Sequence, residues 1–150
     1  MDSRGEARRG PPPQLSIVVP VFDEEENLRP LDTEIRGVLE SIGLSAEIIY
    51  VDDCSRDRSL AVLKEISQGP NAPIRTRVVK LRRNFGQTAA MAAGFELAEG
   101  DVIVPLDADG QNNPADIPRL VETLGRGFDV VSGWRRKRRD GTLNRIIPSR

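Results

Sequence analysis

A chain of 150 residues is long enough for one domain whose core needs neither disulfides nor a structural metal. Cys54 is its single cysteine and it has no histidine, which excludes disulfide frameworks, thiolate or imidazole metal sites and histidine-based triads. The net charge of −1 hides an asymmetry: residues 15–134 carry 12 basic and 20 acidic side chains, whereas residues 135–150 carry seven basic and one acidic. Such a basic segment is either a solvated charge run or an attraction for phosphate-bearing partners, lipid headgroups or nucleic acid.

In chain order, residues 1–14 (MDSRGEARRGPPPQ) read as a flexible tail, rich in Pro, Gly and Arg and without apolar periodicity. Short apolar runs then alternate with helical patterns over one domain, residues 15–150. LSIVVPV precedes a helix over 25–41, EIIYVD one over 57–67, RVVKL one over 87–98, and DVIVPLD one over 115–125; FDVVSG follows as a fifth strand. Gly43, Gly69 and Gly100 sit near three helix ends, Gly86 precedes another helix, and Asn113-Pro114 opens the last. Strands apolar on both faces, separated by helices, predict an α/β fold: a doubly wound, mostly parallel sheet with helices on both faces. No apolar run approaches the roughly 18–20 residues of a membrane helix and the amino terminus lacks a signal-peptide pattern, so the chain reads as cytoplasmic.

Open parallel sheets bind ligands beyond the carboxyl ends of their strands. There this sequence is polar: Pro20-Val21-Phe22-Asp23-Glu24, Asp52-Asp53-Cys54-Ser55, Arg82-Arg83-Asn84, Asp107-Ala108-Asp109 and Ser132-Gly133-Trp134-Arg135. Taken singly, Asp23 or Ser55 is an ordinary helix cap, and Arg82 and Arg83 are ordinary surface charge. Asp52, Asp53, Asp107 and Asp109 together repel one another and call for an organising cation or a donor-rich ligand. With oxygen donors only, that cation is Mg2+ or Mn2+, bound through a few carboxylates and substrate phosphates, and the implied ligand is a diphosphate. Neither a Walker loop nor a dinucleotide fingerprint follows the first strand.

The blocks VVPVFDEEENL, EIIYVDDCSRDRS, RRNFGQTAAMAAGF, GDVIVPLDADGQNNP and DVVSGWR, in that order over residues 15–150, resemble family 2 glycosyltransferases of the GT-A fold. The similarity is to their dolichol-phosphate mannosyltransferase-like, polyprenyl-phosphate branch, in which DADGQ here matches a DADLQ form. The resemblance implies that Pro20, Phe22, Glu24, Val51 and Asp53 hold the base and ribose of a nucleotide-sugar. It further implies that Asp107, Ala108, Asp109 and Gln111 hold metal and diphosphate, with Asp107, Asp109 and Gln111 at the metal, and that Arg135 contacts phosphate. Arg145 and Ser149 match an acceptor-phosphate pair, which a helix would place on one face. Phe22 stands where the family has tyrosine and Cys54 where it has glycine, and family members continue beyond the segment corresponding to Arg150.

The activity so implied is inverting and metal-dependent: a polyprenyl-phosphate oxygen attacks the anomeric carbon of a GDP- or UDP-linked sugar. Asp109 and Arg135 are its catalytic residues. A phosphate monoester is largely ionised at neutral pH, so the attack needs no histidine base. The basic run would face the cytoplasmic surface of an anionic membrane, with no nucleic-acid partner. Two other readings remain: a non-catalytic nucleotide- or phosphate-binding module, and a phosphorylatable receiver-like domain, whose acidic pair belongs after the first strand rather than the second.

Overall fold

A computed structural model describes residues 12–69 and 74–133. The element order is β1 (Leu15–Val21), α1 (Leu28–Ile42), β2 (Ala46–Asp52), α2 (Ser59–Gln68), β3 (Arg75–Lys80), α3 (Gln87–Leu97), β4 (Val102–Pro105), a 3-10 turn (Pro114–Asp116) and α4 (Ile117–Leu124). The four strands form one sheet in the order β3-β2-β1-β4, and every pairing is parallel. Gln14 already belongs to this frame: its N–H donates to the Ser45 carbonyl (2.8 Å) and its carbonyl accepts from Val102 N–H (3.1 Å).

Every residue of β1 and β2 is buried, as expected for central strands covered on both sides. On one face Leu15, Ile17, Val19 and Val21 pack with Ile48 and Tyr50 against Leu28, Leu31, Ile35 and Leu39 of α1 and Val62 and Leu63 of α2. Those α1 positions recur at helical spacing, which gives the helix a single apolar stripe. On the other face Val18, Ile49 and Val51 receive α3 through Ala90. At Gly94 that helix comes so close that an added Cβ would lie 2.3 Å from Val18 Cγ1, so the small residues of TAAMAAG seat α3 directly on the sheet. The doubly wound α/β reading holds.

One predicted element does not form. Residues 128–133, expected as a fifth strand, contain no strand. Phe128 and Val130 are exposed, Val130 to 83%. β-rich composition makes a strand only where a neighbour pairs its backbone, and β4 is hydrogen-bonded on its β1 side alone among the described residues. Helix α1 also starts three residues late, at Leu28, because residues 23–25 are committed to contacts with the β2–α2 loop.

Candidate functional site

The sheet reverses winding direction between β1 and β4, and a crevice opens at that switch point. A cleft of about 380 Å³ lies there, lined by Pro20, Val21, Phe22 and Glu24 after β1, Asp53 after β2, Asn84, Gly86, Gln87 and Ala90 from the β3–α3 segment, and Asp107, Ala108 and Asp109 after β4. Seven residues to which the resemblance gives a ligand-holding role therefore meet in one cleft: Pro20, Phe22, Glu24, Asp53, Asp107, Ala108 and Asp109. Sequence reasoning set Asn84 on the rim without a role and missed Gln87 and Ala90. Their signal was present in the small-residue run after Gly86, which lets α3 sit close enough for its first turn to form a cleft wall.

The β1–α1 and β2–α2 loops are clasped to each other. Asp23 Oδ1 accepts from Arg56 N–H (2.6 Å) and Asp57 N–H (3.3 Å), and Asp23 Oδ2 accepts from the Arg56 guanidinium (2.9 Å). In return Ser55 Oγ accepts from Asp23 N–H, Ser59 Oγ from Glu24 N–H, and Asp57 Oδ2 from Glu25 N–H. Asp23 and Ser55 are thus cross-ties rather than the helix caps their positions suggested; neither α1 nor α2 has a side-chain cap bond. The Arg56 N–H and then its side chain hold the Asp23 carboxyl below the usual carboxylate range. The Arg56 guanidinium also lies 5.3 Å from the centroid of the Phe22 ring, a cation–π contact behind an aromatic side chain that faces the cleft. Glu24 is oriented by Asn27, whose amide donates to Glu24 Oε2 (2.6 Å).

The acidic side chains are held by donors within the chain, which corrects the expectation that their repulsion alone demands a cation or ligand. Asp53 accepts from Phe85 N–H and Gly86 N–H, both at 2.8 Å, one on each oxygen. Asp107 accepts from Gln87 Nε2 on Oδ1 (2.6 Å) and from Asn112 Nδ2 on Oδ2 (3.1 Å), and Asp109 Oδ1 accepts from Gln111 N–H (2.9 Å). Asp52 takes no part in the cleft: it is fully buried, with Oδ1 accepting from Ser55 N–H (3.3 Å) and Oδ2 without a hydrogen-bond partner among the described residues.

Val51 is a second correction. Its side chain is fully buried in the core under α3, beside Val18 and Ala90, and does not line the cleft, so the nucleotide-holding role implied for it does not extend to that side chain. Gln111 is exposed on the loop after β4 and meets Asp109 through its backbone. Arg135, Arg145 and Ser149 lie outside the described residues. Cys54 adopts φ 61°, the left-handed conformation in which cysteine is strained and the resembled family has glycine.

Among the described residues no group of three or more Asp, Glu, Cys or His side chains is arranged around a metal position. Two carboxylates on one cleft wall nevertheless fit a hard divalent cation of the Mg2+ type, which binds through one or two protein carboxylates and completes its shell with substrate phosphates and water. Asp107 and Asp109 would hold such an ion, with the Gln111 side chain within the same loop.

The α/β fold, with its all-parallel sheet, is that of the GT-A glycosyltransferases. Structural similarity places the fold with a mannosyltransferase from Pyrobaculum calidifontis solved with GDP-Man and Mn2+ (TM-score 0.60, 20% identity, 75% of this chain and 32% of that one). It is also similar to residues 1–349 of S. aureus TarS (TM-score 0.58, 21% identity, 75% and 32%). Residues 16–150 match the glycosyl transferase family 2 model, and the chain belongs to that family. Among curated relatives it is 43% identical over 131 residues to an undecaprenyl-phosphate 4-deoxy-4-formamido-L-arabinose transferase of Edwardsiella ictaluri, covering 87% of this chain and 40% of the relative. It is 42% identical over 137 residues to a dodecaprenyl-phosphate galacturonate synthase of Rhizobium johnstonii, covering 91% and 40%. The chain thus spans about 40% of the length of these relatives.

Proposed function

We propose that this chain forms the nucleotide-sugar-binding part of a glycosyltransferase that moves a sugar from a GDP- or UDP-linked donor to a polyprenyl phosphate, with inversion and with a divalent cation. The observation that carries this reading is the meeting of Asp107 and Asp109 with Phe22, Glu24 and Asp53 in one cleft at the switch point of the sheet. The names of the relatives, an undecaprenyl-phosphate sugar transferase and a dodecaprenyl-phosphate galacturonate synthase, support the acceptor class. Solved neighbours carrying GDP-Man with Mn2+, UDP or UDP-GlcNAc support the donor class and the cation.

In this reading Phe22, backed by Arg56, gives the base an aromatic surface, and Asp53 and Glu24 border the nucleoside end of the cleft. Asp107 and Asp109 face the diphosphate end, where a bound Mg2+ or Mn2+ supplies charge stabilisation for the departing nucleoside diphosphate. Arg135 adds a guanidinium to the same phosphates. The phosphate-monoester oxygen of the acceptor forms the new bond to the anomeric carbon as the bond to the nucleoside diphosphate breaks; being already ionised, it requires no proton transfer to the protein. Arg145 and Ser149 receive the acceptor phosphate, and the basic run Arg135–Arg139 faces an anionic membrane surface on the cytoplasmic side. Among the described residues no helix is long and apolar enough to cross a membrane.

Titration calorimetry of the 150-residue chain with UDP and GDP, each with Mn2+, Mg2+ or chelator, tests the reading. One nucleotide should bind in a metal-dependent manner and Asp109→Ala should abolish that dependence; unchanged affinity in Asp109→Ala removes the basis of the proposal. Sugar transfer by this chain beside a full-length relative separates turnover from binding alone.

A further inference from the structure

Gln87 is the first residue of α3, and its position is fixed from both sides. Ahead of it, Asp53 fastens the two preceding residues by accepting from Phe85 N–H and Gly86 N–H, and Gly86 makes the turn with φ 94°, a conformation that suits glycine. Behind it, α3 is seated on the sheet by the close approach of Gly94 to Val18. From this fixed point the Gln87 side chain, in the lining of the cleft, donates from Nε2 to Asp107 Oδ1 at 2.6 Å, while Asn112 Nδ2 reaches Oδ2. An amide oxygen turned toward the carboxylate would repel it, so the nitrogen is the group presented.

We propose that Gln87 is a positioning residue for the cation site: it fixes the plane of the Asp107 carboxylate and ties it, through Phe85 and Gly86, to Asp53 at the nucleoside end of the cleft. The proposal rests on the reading of Asp107 and Asp109 as cation ligands. The choice of an amide follows from charge. A lysine or arginine at position 87 would hold Asp107 as firmly but cancel the negative charge that a cation needs, whereas a neutral donor orients the carboxylate and leaves its charge in place. Groups that orient a ligand in this way are worth about 10–100-fold in metal affinity. Gln87 is exposed, so replacing its amide does not open the core.

The test is Gln87→Met, which keeps length and removes the donor. Measured on the full chain are Mn2+ affinity with saturating UDP or GDP, the electron paramagnetic resonance line shape of the bound Mn2+, nucleotide affinity in chelator, and the unliganded melting temperature. The expected result is about tenfold weaker Mn2+ binding and a broadened spectrum, with metal-free nucleotide affinity and melting temperature unchanged. If wild-type protein binds no Mn2+ beside either nucleotide, the cation reading itself fails. Should wild type bind Mn2+ and Gln87→Met bind it equally well with the same spectrum, the positioning role alone is overturned. Equal losses with and without metal would make Gln87 a direct nucleotide contact and likewise overturn the role.

Discussion

The two ends of the sheet treat their carboxylates in opposite ways. At the amino end Glu47, on β2, is fully buried and accepts from Ser16 Oγ (2.8 Å), Arg75 (2.7 Å) and Glu99 N–H (2.8 Å), with Arg77 Nε 3.3 Å away. Glu99 in turn bonds both arginines, and Arg77 also donates to the Leu97 carbonyl. Burial pushes the Glu47 carboxyl up, but the Glu99 N–H, Arg75, Ser16 and the charge of Arg77 outweigh it and hold the group below the ordinary value of 4.5. At the carboxyl end Asp53 and Asp107 are held by peptide and amide N–H groups, and Asp109 stands exposed beside them. Arginines close the first set into a structural joint, whereas peptide and side-chain amide donors orient the second set at the rim of the cleft.

That contrast can be broken by substitutions at either end. The largest effect is expected from Asp109→Ala, with metal-dependent nucleotide affinity falling more than about 100-fold, beyond the range for groups that merely orient a ligand, while the urea midpoint stays unchanged. Glu47→Gln should do the reverse, leaving nucleotide affinity intact and lowering stability by about 2–3 kcal/mol, less than a fully buried pair because both arginines reach solvent. Its pH dependence has a definite sign. A depressed carboxyl pKa contributes stability that is present above pH 4.5 and lost as pH falls through the lower folded value. The gap between wild type and Glu47→Gln in urea melts should therefore be constant at neutral pH and close in strong acid; a gap that widened on acidification would contradict the network.

Helix α3 spans both ends, opening at the cleft with Gln87 and closing beside the arginine joint at Leu97. Gly94→Ala, forced against Val18, should cost about 1–2 kcal/mol after its helix-propensity gain and weaken nucleotide binding several-fold, a joint loss that neither end variant produces. The smallest change is Cys54→Gly, expected to stabilise by about 0.5–1 kcal/mol because the left-handed backbone is then unstrained. Chemical denaturation measures both; a destabilised Cys54→Gly would show that the contact of Cys54 Sγ with the Arg82 carbonyl (4.0 Å) matters more than the backbone.

Much of the site was legible because local order places strand ends on one rim, so Asp53, Asp107 and Asp109 could be assigned to it before any contact was known. The Glu47 joint was overlooked, although a charge inside the apolar EIIYV run and alternating arginines in RTRVV were its traces. Recognising them required the register that sets Glu47 opposite Arg75.

The sequence by itself determined the alternation of strands and helices, the parallel sheet and the acidic rim, because strand burial, helical spacing and turn residues are local properties. Only the tertiary structure decided that residues 128–133 stay unpaired, that Val51 faces the core, and which neutral or cationic donor meets each carboxylate. Those outcomes depend on distances between segments dozens of residues apart, and pairing, packing and charge compensation are set by such distances rather than by neighbours in the chain.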